Sequence, residues 1–92
     1  MKIIEPAVVE CKECLELIEI NVDMKSVNYD NRDMGPEIEY EGIIESKCAK
    51  CANIIYVKIS AWEYPEGALN YSEIELDGVN LIKSPVFSCI KE

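Results

Sequence analysis

Apolar and polar residues alternate with a period of two in several short runs of this 92-residue chain. Ile18, Ile20 and Val22 interleave with Glu19, Asn21 and Asp23, which gives a strand with one buried and one wet face. Leu15, Ile18 and Val22 also share a helical face, but the β-branched content of residues 15–24 favours strand over helix. Glu37, Glu39 and Glu41 alternate with Ile38 and Tyr40, and Gly42, which interrupts that run, is expected to mark a β-bulge. The long apolar run from Asn53 to Tyr64 is the expected central strand. Ser26 to Pro36, SVNYDNRDMGP, is dense in turn residues and reads as a polar connection, and Tyr64 to Asn70 reads as a Pro/Gly loop. Ile74 and Leu76, then Asp77-Gly78, then Val79 and Leu81 predict a hairpin, because Asp-Gly accepts the positive φ of a tight two-residue turn. SPVFSCI, Ser84 to Ile90, adds a short last strand. The expected architecture is mostly β, a small antiparallel domain over residues 1–92 extended by a C-terminal β-hairpin.

Two of the strand-like runs break at paired cysteines. Cys11 and Cys14 form one Cys-x2-Cys turn and Cys48 and Cys51 another, with 33 residues between them. AVVE and LELIEI flank the first, EGIIES and NIIYVKI the second, so each turn is expected at a hairpin tip. In such a turn two thiolates converge on one ion, and two turns complete a tetrahedral four-sulfur shell, the favoured shell of structural zinc. One Zn²⁺ per chain is the first expectation; iron uses the same four ligands and stays open. A thioredoxin-type redox pair requires a helix after the motif, and neither pair is followed by one. Four thiolates also leave no open coordination position, which argues against catalytic zinc. Lys12, Lys47 and Lys50 stand in or beside the turns, where cations temper the excess negative charge of the sulfurs. Cys89, the fifth cysteine, reads as a small buried thiol beside Phe87.

The double knuckle resembles the zinc ribbon group, whose members carry two Cys-x2-Cys turns on two hairpins. The resemblance covers Val8 to about Ile59 and implies Cys11, Cys14, Cys48 and Cys51 as ligands in a zinc-ribbon-like domain. Two departures stand out. Many members have glycine after the second cysteine, where the backbone turns left-handed; here Leu15 and Ala52 occupy those places, and Asn53 is the residue expected to adopt that conformation in the second knuckle. The 33-residue gap is also long, so an insertion must follow the first hairpin.

Composition narrows the chemistry. There is no histidine, which excludes Ser–His and Cys–His nucleophiles and mixed Cys/His metal sites. Eighteen acidic against nine basic residues give a formal charge of −9, and no basic stripe exists, which argues against direct nucleic-acid binding. Glu5 and Pro6 interrupt the N-terminal apolar residues before signal-peptide length, and no run approaches the ~18–20 apolar residues that cross a bilayer. A cytoplasmic protein, with no membrane contact and thiols kept reduced, is the expectation.

Two surfaces remain as candidate contacts. Glu37, Glu39 and Glu41 line one strand face, and Glu73, Glu75 and Asp77 repeat the spacing; a solvated sheet face and a docking surface for a basic partner are both compatible with it. Alternate carboxylates along a strand are also spaced ~6.6–7 Å apart, near the phosphate repeat of single-stranded DNA, so acidic mimicry of nucleic acid is a further reading. Trp62, Tyr64 and Tyr71 cluster around a Pro/Gly loop, where they serve either loop packing or partner anchoring. The expectation is a non-enzymatic acidic module with a structural zinc site that binds another protein through a basic surface, as regulator, assembly subunit or inhibitor. The alternatives from other classes are a rubredoxin-like electron carrier and a nucleic-acid-binding ribbon.

Overall fold

The computed structural model describes residues 1–65 and 67–89; Glu66 in the Pro/Gly loop and Ile90 at the end of the expected last strand lie outside the described residues. Among these residues the chain is all strand and turn: β1 (Lys2–Glu5), β2 (Ala7–Cys11), β3 (Leu17–Ile20), β4 (Lys25–Arg32), β5 (Gly35–Lys47), β6 (Ile54–Glu63), β7 (Leu69–Asp77), β8 (Val79–Lys83) and β9 (Val86–Ser88). They form a four-stranded sheet ordered β4-β5-β6-β7, a three-stranded sheet ordered β3-β2-β8 and a β1-β9 pair, all antiparallel. The mostly-β, small antiparallel class expected from the alternation is the one observed, and it is consistent with the zinc-ribbon-like domain that the resemblance implies. No helix among the described residues is long and apolar enough to cross a membrane.

β6 is the central strand, as its apolar run suggested, with β5 on one side and β7 on the other. Its period of two decides the layering. Ile55, Val57 and Ile59 point to one face and form a core with Ala7 and Val9 of β2, Ile20 of β3 and Val79 of β8. The three-stranded sheet therefore packs on one side of the four-stranded sheet. β2 shows why it does so: Ala7, Val9 and Cys11 are buried while Val8 and Glu10 are partly exposed. The same alternation places Glu63 on the core face, wholly buried, where Oε2 accepts a hydrogen bond from Gly67 N–H at 3.1 Å.

Three expectations fail. Asp77-Gly78 does not close a hairpin: β7 pairs with β6 and β8 with β2, so Gly78 carries the chain from one sheet to the other. The C-terminal hairpin is thus a crossover between sheets. Gly78 has φ +80°, and a Cβ there would collide with the Ile54 carbonyl, so the crossover uses the conformational freedom that suggested a turn. Gly42 is not a bulge either, for β5 and β6 pair in unbroken register through it. A Cβ at Gly42 would strike the Val22 side chain and lie 3.1 Å from Met24 Sδ, so the glycine permits the 22–24 segment to approach β5. Finally, the polar stretch after Lys25 is mostly β4, paired with β5 across a tight turn between Arg32 and Gly35. This hairpin is the insertion demanded by the long gap between the knuckles. β5 alone, 13 residues long, spans about 44 Å at strand rise and sets the long axis of a molecule measuring 48 × 20 × 18 Å.

Candidate metal centre

The first knuckle is the β2–β3 turn and the second the β5–β6 turn, each at a hairpin tip. The two have the same backbone geometry. Leu15 N–H donates to the Cys11 carbonyl at 2.9 Å and Cys11 N–H to the Glu16 carbonyl at 2.9 Å. Ala52 N–H donates to the Cys48 carbonyl at 2.8 Å and Cys48 N–H to the Asn53 carbonyl at 2.8 Å. The residue after each second cysteine is left-handed, Leu15 with φ 63° and Ala52 with φ 61°. Asn53 does not take that conformation; the site keeps the backbone shape that favours glycine and bears the steric cost of a side chain there.

The four sulfurs converge. All lie within 4.8 Å of one another, with Cys11 Sγ 3.6 Å from Cys51 Sγ and Cys14 Sγ 3.6 Å from Cys48 Sγ. Metal–sulfur bonds of about 2.3 Å in a tetrahedron require sulfurs about 3.8 Å apart, so the observed cluster accommodates one tetrahedral ion. Each close pair joins the first cysteine of one knuckle to the second of the other, and interchanging the knuckles maps one pair onto the other. The first cysteines, Cys11 and Cys48, are buried, while Cys14 is half-buried and Cys51 exposed. The donor set therefore suits a closed structural site. It does not by itself choose between zinc and iron.

The thiols divide into two classes. The Cys14 backbone N–H, with further donors around the sulfur, brings Cys11 down to about 6, and the backbone N–H groups of Cys51 and Lys50 lower Cys48. At Cys51 the Asn53 N–H acts in the lowering direction, but burial and the three neighbouring sulfurs together push it up to about 12. At Cys14 the Glu16 N–H acts in the lowering direction, as does Cys51, but burial and the Cys48 and Cys11 sulfurs leave the thiol raised. Sulfurs this close cannot all ionise without a cation between them.

Around this shell the contacts are specific. Asn53 Nδ2 donates to the Gly78 carbonyl at 3.1 Å and lies 3.7 Å from Cys11 Sγ. Lys12 N–H donates to the same Gly78 carbonyl at 3.1 Å. The Lys50 ammonium pairs with Glu16 at 3.4 Å, an exposed bridge from inside the second knuckle to the exit of the first. Cys89 is buried, 3.8 Å from Met1 Sδ, and is no part of the cluster. Burial pushes its thiol up, and Glu63 adds to the effect.

Of the candidate contact residues, Glu37, Glu39, Glu41, Trp62 and Tyr71 lie on the opposite side of the four-stranded sheet from the core. Cross-strand register aligns Glu39, Trp62 and Tyr71 in one row and Glu41, Ser60 and Glu73 in the next. Ile43, Lys58 and Glu75 follow, and then Glu45, Tyr56 and Asp77. The acidic residues of β5 and β7 are thus one strand apart from direct contact, separated by β6. Trp62 and Tyr71 stack face to face, with centroids 4.2 Å apart and planes within 2°. Glu41 pairs with Lys58 at 3.6 Å and Glu37 with Arg32 at 3.2 Å, so cations interrupt the carboxylate rows. Tyr64 stands apart from the stack. Its hydroxyl accepts from Met34 N–H at 3.3 Å and Arg32 lies over its ring at 5.9 Å, which makes it a clasp on the β4–β5 turn.

The sequence pointed to Asn53 and Gly78 for other roles and missed their place beside the sulfurs, and it missed Glu63 altogether. Asn53 adjoins the second knuckle, which is a usable signal; Gly78 reaches the site only through the three-dimensional crossover. Comparison with protein-family models, with curated proteins and with solved structures finds no match to this chain.

Proposed function

We propose that the chain is a non-enzymatic protein-binding module, held together by one structural Zn²⁺ on Cys11, Cys14, Cys48 and Cys51, that recognises a protein with a basic surface. The observation that carries this reading is the coincidence of the Trp62–Tyr71 stack and the carboxylates on one sheet face, opposite the core. Aromatic faces attract Lys and Arg side chains, by ~0.5–1 kcal/mol at exposed sites and more when desolvated. Glu39 shares the row of the stack and Glu41 and Glu73 flank it, so a partner's cation laid on the rings would meet carboxylates at its sides. Such a module acts as a regulator, an assembly subunit or an inhibitor of its partner.

The pairing of Glu37 with Arg32 and of Glu41 with Lys58 favours recognition of discrete basic anchors over mimicry of a continuous phosphate backbone. Zinc is preferred because a closed four-thiolate shell is its usual structural site.

Affinity purification from native cells tests the reading with two baits: the natural chain and a variant carrying Trp62→Ala, Glu39→Lys and Glu41→Lys. The expected result is a protein partner retained by the first and lost from the second, with one zinc per chain in both. Identical captures, or capture that follows added nucleic acid, would count against it. A purified protein that is red from ferric tetrathiolate would favour the electron-carrier reading; a colourless one-zinc protein would remove it.

A further inference from the structure

Three surroundings meet at one side chain beside the sulfur cluster. Asn53 belongs to the second knuckle, whose turn its own carbonyl closes through Cys48 N–H at 2.8 Å. Its side-chain amide reaches Cys11 Sγ in the first knuckle at 3.7 Å and the Gly78 carbonyl in the β7–β8 crossover at 3.1 Å. A primary amide has two N–H donors, and here each has its own acceptor, one carbonyl oxygen and one sulfur. The Gly78 carbonyl also receives Lys12 N–H at 3.1 Å, so it gathers a donor from each knuckle. Gly78 can serve in this way only because it lacks a Cβ, which would overlap the Ile54 carbonyl and come within 3.3 Å of Asn53 Nδ2.

We infer that Asn53 is a positioning residue of the metal centre, holding Cys11 in ligating orientation and drawing charge from its sulfur, with Gly78 fixing the amide. The physical need is clear. Four thiolates around a divalent cation leave two net negative charges in a partly buried site. An N–H donor aimed at a sulfur offsets part of that charge, and outer-shell donors of this kind commonly change metal affinity by 10- to 100-fold. The Lys50 ammonium pairs with Glu16, and beside Cys11 the Asn53 amide is a neutral donor that shares the task. The inference rests on the four-thiolate reading above but concerns a residue outside the ligand set.

The test uses the full chain and its Asn53→Ala and Asn53→Asp variants. Zinc affinity is measured by competition with a chromophoric chelator, and the thiolate-to-metal charge-transfer band after Co²⁺ substitution. Asn53→Ala is expected to weaken zinc about tenfold, and Asn53→Asp, which places a carboxylate beside the thiolates, by more. The cobalt band should move to lower energy in both, because a sulfur without its donor gives up electrons more easily. A purely structural role through Gly78 would lower thermal stability and leave the band in place, and affinities within twofold of the natural chain would overturn the inference. A measurement on the unaltered protein stands independently of variant folding. In the zinc form, both Asn53 side-chain amide protons should be protected from solvent exchange; rapid exchange of both would refute the proposal. Failure of the natural chain to bind zinc or cobalt at all would instead overturn the four-thiolate reading.

Discussion

Leu15 and Ala52 hold the conformation that the knuckle needs and that glycine would adopt without cost. Leu15 is 64% exposed, so its side chain contributes little packing to offset the strain. Leu15→Gly and Ala52→Gly should each stabilise the zinc-loaded protein, by up to about 1 kcal/mol, once the greater freedom of glycine in the unfolded chain is subtracted. Denaturant titration at constant zinc checks this; a loss of stability in either variant would show that the side chain is needed. The thiols set a pH dependence at the same scale. Zinc binds thiolates, so it must displace the protons retained by the raised pair, Cys14 and Cys51. Affinity should therefore rise with pH through neutrality and fall on acidification, more steeply below about 6 where Cys11 also protonates. Calorimetry at pH 7.5 in buffers of different ionisation enthalpy should report a net release of protons on zinc binding.

Among the elements, the crossover at Gly78 is the most exacting. Gly78→Ala places a methyl group at positive φ and against the Ile54 carbonyl, so it should destabilise the protein by at least about 1 kcal/mol. Because the Gly78 carbonyl anchors Lys12 and Asn53, the same variant should also bind zinc more weakly; thermal unfolding and chelator competition report the two effects separately. The elements differ in how far they could be read in advance. β6 was legible because it is a long apolar run, and its burial follows a period of two except at Ser60, which is buried as well. The knuckles were legible because ligand chemistry fixes their spacing. β4 was not, since all eight of its residues are exposed and no apolar period marks it. Its strand character comes from backbone pairing with β5, which polar side chains neither announce nor prevent. Asp77-Gly78 misled for a related reason. A dipeptide reveals the dihedral angles it tolerates, while the partners of the flanking strands are settled by distant residues, β6 for one and β2 for the other.

For the whole molecule, the core and the sulfur cluster are one unit, because Cys11 continues the buried row of Ala7 and Val9 in β2. A domain of this size has about 5–15 kcal/mol of stability at most, and structural zinc supplies ~10–16 kcal/mol of apparent binding free energy. Stripping the metal with a chelator under reducing conditions should therefore unfold the chain at 25 °C, lose the near-ultraviolet signal of Trp62, and be reversed by one equivalent of Zn²⁺. Cys48→Ser or Cys51→Ser should abolish stoichiometric zinc, whereas Cys89→Ser should retain one ion per chain; elemental analysis distinguishes them. The matched geometry of the knuckles also bears on the order of assembly. Each is a local hairpin tip, able to form in microseconds and to offer two ligands before the rest of the chain has arranged itself. The slow event is bringing the halves together across 33 intervening residues, and an ion already held by one half rewards that encounter at once. Refolding should thus accelerate with zinc concentration until one half-site is saturated. On the proposed four-thiolate reading, the ion then becomes the kinetic nucleus around which the sheets close.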